Sequence, residues 1–112
     1  MNPRERMRRS NAKAVTWLLK NGYTEVWLKP HGLRQDKVYR ANGDHYWALD
    51  LWNQWDGICI KDGEVVFIAI KTNKWQSDKE IRSWMQDKFG IHALAINVKL
   101  SVRKYIVDVR HY

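Results

Sequence analysis

The stretch WDGICIKDGEVVFIAIKTNKW, residues 55–75, decides how the chain folds. Two apolar runs flank Asp62-Gly63, and Asp-Gly between such runs favours a two-residue type I′ hairpin. With those residues in the turn, Lys61 faces Glu64, Ile60 faces Val65, Cys59 faces Val66, Ile58 faces Phe67 and Gly57 faces Ile68. The next pair outward is Asp56 and Ala69, and directly opposed residues have Cβ atoms roughly 4.5–5.5 Å apart. Side chains alternate along a strand, so Lys71 shares the face of Ala69. Register alone gathers Asp56, residue 69 and Lys71 at one end of the hairpin, and a bulge would shift that gathering by one residue.

Helical patterns lie on both sides of the hairpin. Residues 2–21 carry Asn2 as a cap, Pro3 at the first helical position and Glu5 where a capping box wants an acid. Met7, Ala14, Val15, Leu18 and Leu19 form one apolar face, and Gly22 stops the helix. A second helix is expected over 77–89, with Ser77 and Glu80 as a capping box and Ile81, Trp84, Met85 and Phe89 at helical spacing. YTEVWLKP (23–30) reads as a strand ended by Pro30 and Gly32. VYRANGDHYWALD holds the hairpin signal Asn42-Gly43, and ALAINVKL and KYIVDVR read as two closing strands. The order is helix, three or four strands, helix, two strands, without repeat or linker, so residues 1–112 read as one domain.

The chain has 112 residues with 45% hydrophobic content, which argues against disorder. No apolar run approaches the roughly 20 residues that span a bilayer, and no signal peptide is seen, so no membrane partner is expected. The single cysteine, Cys59, leaves no intramolecular disulfide and fits a reducing, intracellular address, whether cytoplasm, nucleoid or a host cell. A net charge of +8 and seven tryptophans point to a nucleic acid as the partner, since basic residues meet phosphates and aromatic faces stack on bases. Arg4, Arg6, Arg8, Arg9 and Lys13 form a candidate phosphate-contacting arm, set against a plain solvated helix face. Lys74 and Trp75 are candidates for the same role, although Trp75 could equally staple the second helix. Trp47, Trp52 and Trp55 fit a core or an interface. The four histidines and Cys59 lack metal-ligand spacing. Cys59 itself reads as a buried apolar residue.

An acid and a lysine converging at a strand end have a chemical use. Hydrolysing a phosphodiester needs a hard cation to offset charge and a group to position water, and Mg²⁺ is held by one or two carboxylates plus substrate phosphate. Asp56, a hairpin and then Ala69-Ile70-Lys71 resemble the Asp…(Asp/Glu)-x-Lys, or PD-(D/E)xK, nuclease superfamily. Within it, DLWNQWDGICIKDGEVVFIAIKTN is most similar to the small archaeal and phage Holliday-junction-resolvase-like branch. The resemblance covers roughly residues 10–110. It implies an α/β, restriction-endonuclease-like core, a mixed β-sheet flanked by the helices at about 2–21 and 77–89. It further implies a homodimeric endonuclease that uses Mg²⁺ or Mn²⁺ to cleave DNA, branched DNA included. By position, Asp56 would bind the metal, residue 69 would add the second carboxylate, the Ile70 carbonyl would be a further ligand and Lys71 would serve the water.

The chain departs from that pattern twice. Ala69 stands where the family has an acid or Gln, and Asn11 fills a first-helix slot often held by Glu. An alanine cannot ligate a cation. Three explanations stand for Ala69: a substitution that silences a nuclease, a natural loss that leaves a binding-only domain, or a second carboxylate from elsewhere, with Asp50, Glu25 and Asp44 as candidates. The rival functions are a non-catalytic nucleic-acid-binding domain on the same fold and a basic viral or chromosomal interaction protein.

Overall fold

The computed structural model describes residues 2–30 and 35–112. Gly32, expected to end the first strand, lies outside the described residues. The order is α1 (Pro3–Lys20), β1 (Thr24–Leu28), β2 (Asp36–Tyr39), β3 (His45–Ala48), β4 (Gly57–Lys61), β5 (Glu64–Thr72), α2 (Asp78–Met85), β6 (His92–Leu100) and β7 (Tyr105–His111). Five strands form one mixed sheet in the order β1-β4-β5-β6-β7, and β2 and β3 pair apart from it as a small hairpin. Only β5 and β6 run parallel in the large sheet, joined by the crossover through α2.

The hairpin at 57–68 has the expected register in all five pairs, from Lys61↔Glu64 to Gly57↔Ile68. Asp62 and Gly63 both have positive φ, 51° and 81°, as a type I′ turn requires. Asn2 caps α1 by accepting the Glu5 N–H at 2.8 Å, with Pro3 at its first position.

β5 and β6 are covered on both faces. Ile68, Ile70, Leu94, Ile96 and Val98 pack with Ala14 and Leu18 of α1 on one face. Ala69, Ala93 and Ala95 pack with Trp55 and Ile81, flanked by Phe67, Trp75, Trp84 and Met85, on the other. The two helices therefore lie on opposite faces of one sheet.

One expectation needs correction. The second helix stops at Met85 rather than residue 89, and Phe89 is 94% exposed instead of joining the apolar face. Past its end the Lys88 ammonium donates to the Trp84 carbonyl at 2.6 Å, one of the orphan acceptors of a last helical turn. The Asn42-Gly43 hairpin forms as that signal indicates, with Tyr39↔His45 as its last ladder pair. Arg40 N–H closes it on the Asp44 carbonyl at 2.8 Å.

Candidate functional site

The site is built where β4 begins. Gly57 approaches β1 so closely that an added Cβ would sit 2.1 Å from the Trp27 carbonyl oxygen, which makes glycine the one residue that fits. The ladder runs out there. The Asp56 N–H bonds the Ile68 carbonyl at 2.8 Å, although Ile68 already opposes Gly57. Two residues of one strand thus meet one of the other, as in a bulge. Asp56 therefore lies out of step with Ala69 rather than squarely opposite it.

This shift sets the aim of the acid. Asp56 Oδ2 accepts the Ile70 N–H at 2.6 Å, along the edge of β5 that β4 no longer covers. The N–H and C=O of one strand residue point to the same side, so the Ile70 carbonyl faces the Asp56 side as well. The Asp56 carbonyl in turn accepts the Lys29 N–H at 2.8 Å, which ties the segment to the end of β1.

A tight turn brings a second acid to this place. Leu51 and Trp55 exchange both backbone hydrogen bonds, at 2.9 and 3.0 Å. The next pair outward from that antiparallel bridge is Asp50 and Asp56, both half-buried. Trp52 and Asn53 turn the chain there with positive φ, 55° and 57°. Of the three alternative carboxylates, Asp50 is the one that flanks this bridge opposite Asp56 in the backbone register. Glu25 sits in the irregular part of β1 between Thr24 and Trp27, toward the far end of β4. Asp44 is exposed in the β2–β3 turn, where its N–H and carboxylate are both bonded to the Asn42 amide.

Ala69 is 1% exposed and packed in the aromatic cluster beside Ala95. Lys71 lies two residues further on the same face, half-buried, and pairs with Asn97 of β6. Asn97 is 3% exposed and its Oδ1 has no hydrogen-bond partner among the described residues, so a buried acceptor stands next to Lys71. Thr72 points to the opposite face, where its hydroxyl bonds that of Ser10 in α1. That bond pins the N-terminal half of α1, and with it the basic arm, to the Lys71 end of the sheet. The arm is divided: Arg4 and Arg8 share one side of the helix, Arg9 and Lys13 another, each pair four residues apart. The four arginines are exposed, and the Lys13 ammonium sits 4.3 Å from the Tyr105 ring centroid.

Lys74 is exposed just past β5. Trp75 packs into the aromatic cluster, and the Arg110 guanidinium lies 4.0 Å from its ring centroid. Close by, Asp78 is held below the usual carboxylate range by hydrogen bonds from Tyr112 and Arg82. Burial pushes the Cys59 thiol up to about 11, which leaves it protonated at neutral pH and a poor nucleophile.

Sequence reasoning missed the outer face of the small hairpin. Lys37 pairs with Trp47 and Tyr39 with His45, and all four are exposed, Tyr39 at 75% and Trp47 at 53%. The Lys37 ammonium lies 5.4 Å from the Tyr39 ring centroid and 5.8 Å from that of Trp47. Period-two alternation in DKVY and HYWA was the available signal.

Among the described residues no group of three or more His, Cys, Asp or Glu side chains is placed to hold a metal. Two carboxylates and a carbonyl remain a sufficient protein share for Mg²⁺, which keeps waters and takes substrate oxygens. Comparison with protein-family models, with curated proteins and with solved structures finds no match.

Proposed function

We propose that this chain is a divalent-metal-dependent endodeoxyribonuclease of the restriction-endonuclease-like type, acting on DNA as a homodimer, with branched DNA among its substrates. The observation that carries the reading is the Asp56 carboxylate on the Ile70 N–H, an acid fixed at the Ala69-Ile70-Lys71 end of β5. The element order supports it: a helix, a three-strand meander interrupted by the small hairpin, a crossover helix and a parallel strand. Charge supports it as well, at +8 overall, with the arginine arm pinned to the same end.

Asp50, Asp56 and the Ile70 carbonyl would hold Mg²⁺ or Mn²⁺, all hard oxygen donors suited to such an ion. Such an ion, held there, would offset charge on the scissile phosphate and lower the pKa of a water. Lys71 offsets charge developing on the phosphate oxygens and orients the attacking water. Asn97 is placed to hold the Lys71 ammonium through its buried Oδ1. The arginines position the backbone without reading its sequence. In this reading the carboxylate lost at position 69 is replaced by Asp50 from the turn before Asp56.

A second reading draws on Ala69 itself. Its 1% exposure within an apolar cluster fits a domain that binds DNA without cutting it. Cleavage of linear, nicked and four-way DNA with Mg²⁺ or Mn²⁺ separates the two. Asp56→Asn keeps an oxygen for the Ile70 N–H but removes the charge. It is expected to lower cleavage at least about a hundredfold, the scale of losing one strong transition-state interaction, and to abolish the calorimetric signal of Mn²⁺ binding. DNA binding with no cleavage by the unaltered protein on any substrate would leave the non-catalytic reading.

A further inference from the structure

A cavity of about 440 Å³ opens beside the aromatic cluster, lined by Tyr46, Trp52, Phe67, Trp84, Lys88 and Ile91. Its size lies within the range of small-molecule sites. Four of the six lining residues are aromatic. Trp52 stands edge-on to Phe67 at 5.5 Å and tilted to Trp84 at 5.8 Å, yet it is 41% exposed. A large ring left this open at a cavity mouth has apolar area still to bury. The chain holds it there through left-handed backbone at both Trp52 and Asn53, a conformation that non-glycine residues rarely adopt.

The rim carries two cations, of which Lys88 is also paired with Asp87 at 3.0 Å. The Lys88 ammonium sits 4.2 Å from the Trp84 ring centroid, and the Arg40 guanidinium 4.8 Å from that of Tyr46. Those cations already engage the outer rings, so a cationic ligand of the methyl-ammonium kind would be repelled. A flat π-system that carries an anion is attracted on both counts.

Position adds the substrate. Phe67 lies on the same face of β5 as Lys71, four residues earlier, so the two positions stand roughly 13 Å apart along the strand at about 3.3 Å per residue. A nucleotide or two of DNA covers that span. We propose that the cavity receives an unpaired, unstacked base of the DNA strand whose phosphate lies at the Asp56–Lys71 end, with Lys88 and Arg40 meeting its backbone. The site rests on the nuclease reading only for the identity of its substrate, and it makes DNA with an extrahelical base the preferred class.

The test is binding without cleavage, in EDTA, by fluorescence anisotropy. The probes are a labelled duplex with one unpaired thymine, the same duplex with an abasic residue there, and the fully paired duplex. Stacking one base on aromatic side chains corresponds to a preference for the thymine bulge over the abasic bulge of about 5- to 150-fold. Trp52→Ala and, separately, Tyr46→Leu should remove that preference and leave affinity for the paired duplex unchanged, while Trp52→Phe should keep most of it. Equal binding of both bulges by the unaltered protein overturns the proposal whatever the variants do. A preference that survives in folded Trp52→Ala and Tyr46→Leu overturns it too. Thymidine monophosphate binding as tightly as the bulged duplex would overturn DNA as the source of the base. A change of oligomeric state in Trp52→Ala without any bulge preference would assign the surface to a second copy of the chain instead. Bulge preference with no metal-dependent cleavage defeats only the nuclease reading. Cleavage without bulge preference defeats only this one.

Discussion

The face of the sheet under α1 and the face under α2 solve one packing problem with opposite materials. Under α1 the strands offer Ile68, Ile70, Leu94, Ile96 and Val98, and the helix replies with Ala14 and Leu18. Branched residues dominate the sheet side, and the helix meets them with one small residue, Ala14, and one large one, Leu18. Under α2 the strands offer Ala69, Ala93 and Ala95, and the bulk comes from Trp55, Trp84 and their aromatic neighbours. Volume is conserved across each interface because interiors pack to a fixed density. The difference shows what position 69 does: it belongs to a floor of alanines, and its size is set by the rings above it. It also shows where openings arise. Aliphatic side chains interdigitate closely, whereas rings meeting edge-on leave the cavity beside Trp52.

The largest effect expected is loss of the aromatic keystone. Trp55 is 0% exposed and meets Phe67 and Trp84 at 6.0 and 5.4 Å. Trp55→Ala should destabilise the fold by about 3–5 kcal/mol, and Leu18→Ala on the other face by about 2–5 kcal/mol. Urea midpoints measure both, and a mild Trp55→Ala would mean that the aromatic face contributes little to stability.

Ala69 comes next. Ala69→Leu should cost about 1–3 kcal/mol by overpacking the alanine floor. Ala69→Glu should cost more in metal-free buffer, because it adds a carboxylate at a site 1% exposed. If the added carboxylate turns toward Asp56, Mn²⁺ should recover part of the loss and raise cleavage. Melting temperatures with and without Mn²⁺ read the difference, and an unchanged gap would place the 69 side chain wholly within the apolar floor.

A smaller effect sharpens the aliphatic face. Burial raises the Cys59 thiol from 9.0 to about 11, so the folded state holds that proton longer than the unfolded chain. The stability this contributes is fully present below pH 9 and is lost as pH rises through about 11. Cys59→Val should flatten that limb of the pH–stability curve relative to the unaltered protein. In the native state, alkylation of Cys59 at pH 8 should be slow and limited by opening of the structure.

The smallest effect concerns the exposed first turn of α2. Hydrogen bonds from Tyr112 and Arg82 lower Asp78 from 3.8, so its contribution is present above that value and is lost as pH falls through the depressed one. Asp78→Asn should leave the melting temperature at pH 3 closer to that of the parent than at pH 6. A parallel offset at both pH values would show that the ion pair contributes nothing through titration.

Much of this arrangement was legible in the chain itself. Turn chemistry at Asp62-Gly63 and strand alternation determined five ladder pairs, and Asn2-Pro3 determined where α1 starts. These are local rules: a turn type constrains its neighbours, and a cap answers donors three residues away. The tertiary structure alone decided the rest. Gly57 lies against the Trp27 carbonyl, a contact between segments thirty residues apart in sequence, and the ladder slips at that point and carries Asp56 off Ala69 and onto the Ile70 N–H. The bridge between Leu51 and Trp55 leaves Asp50 and Asp56 flanking it on either side, a placement that depends on how the chain returns rather than on charge. Whether residue 69 faces water or tryptophan was also undecidable from alternation. Alternation separates two faces of a strand, but only the helices packed across them determine which is covered, and here both are.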